Sequence, residues 1–195
     1  MSYLSNGMSL EEYIANNKGC LGTACPSDEL PVLIKFIDAR DDLSIQVHPN
    51  DEVARKKHQS NGKTEFWYII DAQEDACLYS GFNKKITAEE VRQHVKDNTI
   101  CQVLNKEMAK KGDAFFLPAG RVHSIGSGLF LAEIQQTSDA TYRLWDYNRK
   151  DANGNPRELH VNDALNVIIN RNEDEINKIR YSKGKKSDNN LENCE

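Results

Sequence analysis

Long hydrophobic runs are missing from this sequence. No window approaches the ~20 apolar residues of a membrane-spanning helix, and the mean hydropathy is −0.69, so no membrane partner is expected. The opening residues, MSYLSNGMSLEEYIANNKG, lack a basic stretch followed by an apolar one, so they do not read as a secretory signal. Basic charge is not in excess either. The 25 Lys and Arg against 30 Asp and Glu leave a net charge of −5. Acids and bases are mixed along the chain, and no basic stripe favours nucleic acid as a partner. An anionic substrate would therefore need a local positive pocket. Cysteines are few, with Cys20, Cys25, Cys77, Cys101 and Cys194 making an odd and scattered set. They form neither a disulfide framework nor a C-x-x-C metal knuckle, which predicts a reduced, cytoplasmic location.

What is present is 195 residues, enough for one good-sized domain with a real core. Ser9-Leu10-Glu11-Glu12 reads as a capping box opening a short helix over about 9–17. A Gly/Cys/Pro/Ser loop follows. PVLIKFIDA, from Pro31, is a dense apolar, β-branched run and predicts a buried strand. LSIQVH, KTEFWYII and ACLYSGF read as further strands, with one or two helical turns at DEVARKKHQ. Thr87-Ala88-Glu89-Glu90 is a second capping box, starting a helix to about Asp97, and NTICQVLNK predicts another short helix. AFFLPAG, VHSIGSG, LFLAEIQQ and ATYRLWDYN supply the remaining strands, and ELHVNDALNVI a last helix. Short strands separated by turns, with inserted helices, predict a mainly β fold, a barrel or sandwich. From Arg171 onward, Asn, Lys, Asp and Glu predict a mobile polar tail.

The strand IQVHP carries an oddity. Gln46 and His48 are two apart, so they share one face just before Pro49 stops the strand. Alone, such a pair is more often an exposed edge. It is not alone. Glu65 lies among apolar neighbours in TEFWYII, and His123 follows the turn Pro118-Ala119-Gly120. Two His, one Glu and one Gln on three β segments make a nitrogen and oxygen donor set without thiolates. That set suits a catalytic rather than a structural metal. Zn²⁺ is the expected ion, one per chain, and Fe²⁺ or Mn²⁺ would fit the same donors.

Gly112-Asp113, Pro118, Gly120 and His123 stand in the shape G-D-x-x-x-x-P-x-G-x-x-H, which resembles the second motif of the cupin superfamily. The resemblance implies a jelly-roll-like β-barrel or sandwich with a few short helices. Three longer stretches, IKFIDARDDLSIQVHPND, GKTEFWYIIDA and PAGRVHSIGSGLFLAEIQQTSDATYRLWDYNR, narrow the likeness. Together they resemble type I mannose-6-phosphate isomerase (phosphomannose isomerase) in its short bacterial form. The likeness runs from about Leu30 to Ile168.

That resemblance implies metal ligation by Gln46, His48, Glu65 and His123, a catalytic Arg143, and substrate contacts from Lys63, Glu133, Asp139 and Arg149. It implies residues 29–170 as the catalytic cupin domain, preceded by a helical and loop segment over 1–28. Residues 171–195 would be a polar tail, the start of a second β domain cut off at LENCE. The implied reaction interconverts mannose 6-phosphate and fructose 6-phosphate through an enediolate. A metal would serve as Lewis acid, and Glu133, Asp139 or a metal-bound water could move the proton. Arg121 and Arg149 are the candidates for the phosphate. A non-catalytic, metal-holding cupin that binds sugar phosphates is the alternative reading, and a homodimer is open.

Overall fold

Period-two alternation organises this protein, whose computed structural model describes residues 2–23, 25, 29–168 and 180–181. In chain order the described elements are α1 (Leu10–Asn16), β1 (Val32–Ala39), β2 (Ile45–Val47), α2 (Asp51–His58), β3 (Glu65–Ala72), β4 (Cys77–Phe82) and α3 (Ala88–Lys96). A 3₁₀ turn (Ile100–Val103) then leads to β5 (Leu104–Met108), β6 (Ala114–Leu117), β7 (His123–Ile125), β8 (Leu129–Gln136), β9 (Tyr142–Trp145), α4 (Val161–Val167) and β10 (Arg180–Tyr181). The strands form two five-stranded sheets, ordered β1-β8-β3-β6-β10 and β5-β4-β7-β2-β9. Every pairing described is antiparallel. The mainly β, cupin-like expectation is met.

Register fixes what each face carries. Across the first sheet, Leu33, Gln135, Glu65 and Leu117 share one cross-strand row, and Lys35, Glu133, Trp67 and Phe115 the next. These rows face the second sheet. Farther along the same inner face, Ile69, Leu129 and Leu131 meet Leu78 and Ile125 of the second sheet in a dry core. Each such fully buried side chain contributes about 1.5–3 kcal/mol. The outer face of the second sheet is closed differently. Ile45, Val47, Tyr142 and Leu144 pack there with Val91 and Val95 of α3, Ile100 and Val103 of the 3₁₀ turn, and Ala164 of α4. With Ile45 and Val47 turned to that outer core, alternation turns Gln46 and His48 inward.

Three sequence expectations need correction. PVLIKFIDA is not buried on both faces. β1 is an edge strand, and its outward Ile34 and Phe36 are 58% and 70% exposed. A short apolar run does not reveal whether anything covers its second face. NTICQVLNK splits into a single 3₁₀ turn and then β5, a strand the sequence reading missed. At α1, Ser9 accepts from the Glu12 N–H, but only α3 shows the full reciprocal box, between Thr87 and Glu90. The expected polar tail lies outside the described residues except for Arg180–Tyr181, which extend the first sheet beside β6.

Candidate metal centre

His48, Glu65 and His123 come together from both sheets. β2 and β7 are neighbours, with Gln46 opposite His123 in register. His48 follows immediately after β2, and Glu65 opens β3 across the sandwich. Their candidate ligand atoms lie within 4.8 Å of one another, and exposure is only 1%, 1% and 2%. Two glycines make the approach feasible. Gly120, in the left-handed region at φ 86°, donates its N–H to the His48 carbonyl at 2.8 Å. Gly62 passes so close to the start of α2 that a Cβ there would sit 2.5 Å from the Asp51 backbone nitrogen. Only glycine lets Gly62-Lys63-Thr64-Glu65 run beneath that helix.

The hydrogen bonding around the trio leaves a gap suited to a cation. Nδ1 of His48 lies 2.9 Å from the Ala140 carbonyl, and Nδ1 of His123 2.9 Å from the Arg121 carbonyl. A carbonyl only accepts, so each Nδ1 carries the proton and each Nε2 presents a lone pair. Both Nε2 atoms and Oε1 of Glu65 are buried without a hydrogen-bond partner. Nε2 of His48 stands 3.1 Å from Oε1, and Nε2 of His123 3.6 Å from Oε2. Three buried acceptors face one another with only the Lys63 ammonium close to one of them, an arrangement that a metal ion among them would satisfy.

The electrostatics agree. Burial pushes the His123 imidazole down to about 4, so it is neutral and ligand-ready at pH 7. For Glu65, burial opposes ionisation. Contact with His48 and the charges of His123, His48 and Lys63 outweigh it and hold the carboxyl well below the usual carboxylate range. Lys63, buried itself, brings Nζ to 3.3 Å from Oε1.

The other predicted residues divide into three groups. Glu133 joins the trio. Its Oε2 and that of Glu65 both accept from the Trp67 indole N–H, at 3.1 Å each. Burial, then the charge of Glu65, pushes the Glu133 carboxyl above its ordinary range, against the pull of Lys63 and Lys35. Gln46, Arg143 and Arg149 form a second group beside it. Gln46 accepts from the Ser44 hydroxyl at 3.1 Å and pairs with Arg143 on β9. The Arg143 guanidinium donates to the Glu158 carbonyl at 2.9 Å. Burial and the nearby Arg157 and Arg149 lower its pKa from the usual arginine value, with Asp146 opposing. Arg149 lines a cavity of about 390 Å³ with Gln46, Ser44 and Arg157, and both arginines contact the buried Asp146. Asp139 stands apart. It is exposed and lines a different cavity of about 620 Å³ with His58, Tyr142 and His160.

Sequence reasoning missed Lys35 and the polar contacts of Trp67, though Trp67 is the buried core aromatic expected. Lys35 places Nζ 3.3 Å from Glu133 Oε1 and 2.5 Å from Gln135 Oε1. The signal was available, since a single lysine at an inward position of an apolar strand needs an internal partner. Trp67 reads from sequence as a core aromatic, and its sequence neighbours do not reveal the two carboxylates at its N–H.

With this geometry established, comparison with known proteins is informative. Residues 3–71 match the family model "Phosphomannose isomerase type I, catalytic domain". Mannose-6-phosphate isomerase ManA of Bacillus subtilis is 44% identical over 172 residues, covering 86% of this chain and 54% of that protein. Mannose-6-phosphate isomerase of Streptococcus mutans is 40% identical over 162 residues, covering 83% and 51%. A crystal structure of the Bacillus subtilis mannose 6-phosphate isomerase superposes with a TM-score of 0.78 at 36% identity, covering 84% of this chain and 52% of that one. The chain thus spans about half the length of the relatives it matches.

Proposed function

From the premise that this chain is a relative of the type I phosphomannose isomerases, we propose that it is a metal-dependent aldose–ketose isomerase interconverting mannose 6-phosphate and fructose 6-phosphate. The observation that carries the metal requirement is the buried trio of His48 Nε2, His123 Nε2 and Glu65 Oε1, all without hydrogen-bond partners. These residues, with Gln46 as their same-face neighbour, would hold one Zn²⁺ per chain, and Fe²⁺ or Mn²⁺ would suit the same donors. A bound ion supplies Lewis-acid polarisation of the sugar's carbonyl and hydroxyl oxygens.

The chain's own groups do the rest. A proton must leave the carbon beside the carbonyl and return to its neighbour. Glu133, buried next to the trio and held by Trp67 and Lys35, is better placed to move it than the exposed Asp139. Lys63 faces the centre as a compact positive charge. Arg143, whose planar fork suits adjacent oxygens, would steady the negative charge that develops on them. For the phosphate, Arg149 in the cavity shared with Gln46 and Ser44 is favoured over the buried Arg121. Asp139 keeps a place only at the rim of the substrate path.

The proposal extends to organisation. Residues 29–170 are proposed as the catalytic unit and residues 1–28 as a leading segment, with Arg180–Tyr181 adding to the first sheet of that unit. No helix among the described residues is long and apolar enough to cross a membrane, and Cys20, Cys77 and Cys101 are free thiols, in keeping with a cytoplasmic enzyme. The outer face of the first sheet, which nothing among the described residues covers, would pair with the same face of a second copy. A two-fold contact matches apolar surface with apolar surface, and the central rows of this face carry no charge.

The test is a coupled assay of the purified chain with mannose 6-phosphate, before and after chelation and on returning Zn²⁺. Zinc-restored formation of fructose 6-phosphate is expected. Stoichiometric zinc without turnover would leave a non-catalytic sugar-phosphate-binding module in its place.

A further inference from the structure

We infer that Trp67 is a positioning residue that sets which oxygen of Glu65 faces the metal ion, an inference that rests on the metal reading above. Trp67 is 1% exposed and lies two residues from Glu65, so both side chains enter the same inner face. It is also the direct cross-strand partner of Glu133. Its indole carries a single donor hydrogen and no acceptor. That hydrogen is shared between Oε2 of Glu65 and Oε2 of Glu133, at 3.1 Å each. Oε1 of Glu65 accepts no hydrogen bond, though the Lys63 ammonium lies 3.3 Å away; it stands 3.1 Å from Nε2 of His48, closer than the Trp67-bound Oε2 comes to Nε2 of His123, at 3.6 Å. On the far side, Lys35 balances Glu133 at 3.3 Å. The ring itself meets the His123 imidazole edge-on, with centroids 5.4 Å apart at 85°. One side chain therefore touches two of the three ligands.

Phenylalanine at this position would keep an aromatic ring but remove the hydrogen. Two buried carboxylates would then share a face with no donor between them. Glu65 would be free to turn Oε2 inward or to swing off the centre. Loss of such an outer partner typically weakens metal affinity by about 10–100-fold.

The experiment uses Zn²⁺ alone as probe and needs no turnover. Zinc Kd is measured by competition with a chromophoric chelator for the wild-type chain, Trp67→Phe and Phe115→Leu, the last altering Trp67's neighbour in the same row without touching a polar group. Trp67→Phe is expected to raise Kd about 10–100-fold, and Phe115→Leu to change it by less than about twofold. A second readout leaves Trp67 intact. The chain has two tryptophans, and Trp145 donates elsewhere, to Asn98 at 3.0 Å. In Trp145→Phe the emission of Trp67 alone is followed, and zinc should change it saturably with the wild-type Kd. Wild-type Kd in a folded Trp67→Phe, or unchanged Trp67 emission while zinc binds, overturns the inference and leaves the metal reading standing. If the wild-type chain binds no zinc, both fall. If Trp67→Phe does not fold, the Trp145→Phe titration decides.

Discussion

The two sheets of this protein present outer faces of similar chemistry and opposite fate. On the second sheet, Ile45, Val47 and Leu144 lie beneath α3, the 3₁₀ turn and α4, and their exposure is nil. On the first, Ile34, Ile134, Phe66 and Phe116 form one cross-strand row, and Phe36, Ala132, Tyr68 and Ala114 the next. Nothing among the described residues roofs them, and Phe36, Ile34, Tyr68 and Phe116 are 70%, 58%, 46% and 40% exposed. The three aromatic rings alone leave roughly 300 Å² open, the size of the largest patch on an ordinary monomer. The difference teaches that alternation along a strand assigns residues to faces but does not say what covers a face. Between the two outer faces lies the inner surface that holds the candidate metal centre.

The largest expected effect separates that inner surface from both outer ones. Glu65→Gln should raise the zinc Kd by roughly 100-fold or more, beyond the usual loss of an outer partner, and abolish the proposed zinc-dependent isomerisation. Phe36→Lys should leave the zinc Kd unchanged. A shift in metal affinity on Phe36→Lys would break the separation and couple the bare face to the site.

Stability should sort the two outer faces next. Leu144→Ala, beneath the helices at 0% exposure, should cost about 2–5 kcal/mol in chemical unfolding. Phe36→Ala, at 70% exposure, should change the stability of the single chain by no more than about 0.5 kcal/mol. Comparable losses at the two positions would mean that something already covers Phe36. Association comes third. Sedimentation equilibrium of the 22.1 kDa chain should give a dimer, and Phe36→Lys should weaken it at least about tenfold, or 1.4 kcal/mol. A monomeric wild type that binds a hydrophobic dye on this face would assign the face to a different partner.

Much of this was legible in the sequence because the signals are local. Gln46 and His48 share a face by spacing. Glu65 stands out as a carboxylate among apolar neighbours, and Gly112 to His123 form one contiguous motif. The Thr87 box and the strand LFLAEIQQ also need only their own residues. What escaped depends on contacts between distant segments. Lys35 and Glu133 are 98 residues apart, and Trp67 and Glu133 are 66 apart. β5 was lost because LNKEM has a weak apolar pattern and gains its strand form by pairing with β4. Asp139 looked like Glu133 in a family-matching stretch, but it follows β8 and points into a different cavity. The covering of one outer face and not the other rests on where α3 and α4 dock, which no periodicity within β1 or β2 records.

The smallest expected effect tests whether that docking holds the covered face together. α3 is short, running from Ala88 to Lys96, and its N-terminus depends on a reciprocal pair. The Thr87 hydroxyl accepts from the Glu90 N–H at 3.3 Å, and the Glu90 carboxylate accepts from the Thr87 N–H at 2.8 Å. An isolated helix of this length is marginal, so its stability comes from the cap and from Val91 and Val95 packed over the second sheet. Thr87→Ala should therefore cost about 1 kcal/mol, and the loss should appear in global unfolding because the helix is part of that core. Hydrogen exchange gives the sharper view. If only the amides of α3 lose protection, the helix is a detachable cover and the two outer faces differ less than they look. If protection also falls in β2 and β9, whose outward residues it covers, the second sheet owes its buried face to α3, and the bare first sheet shows what that face would be without it.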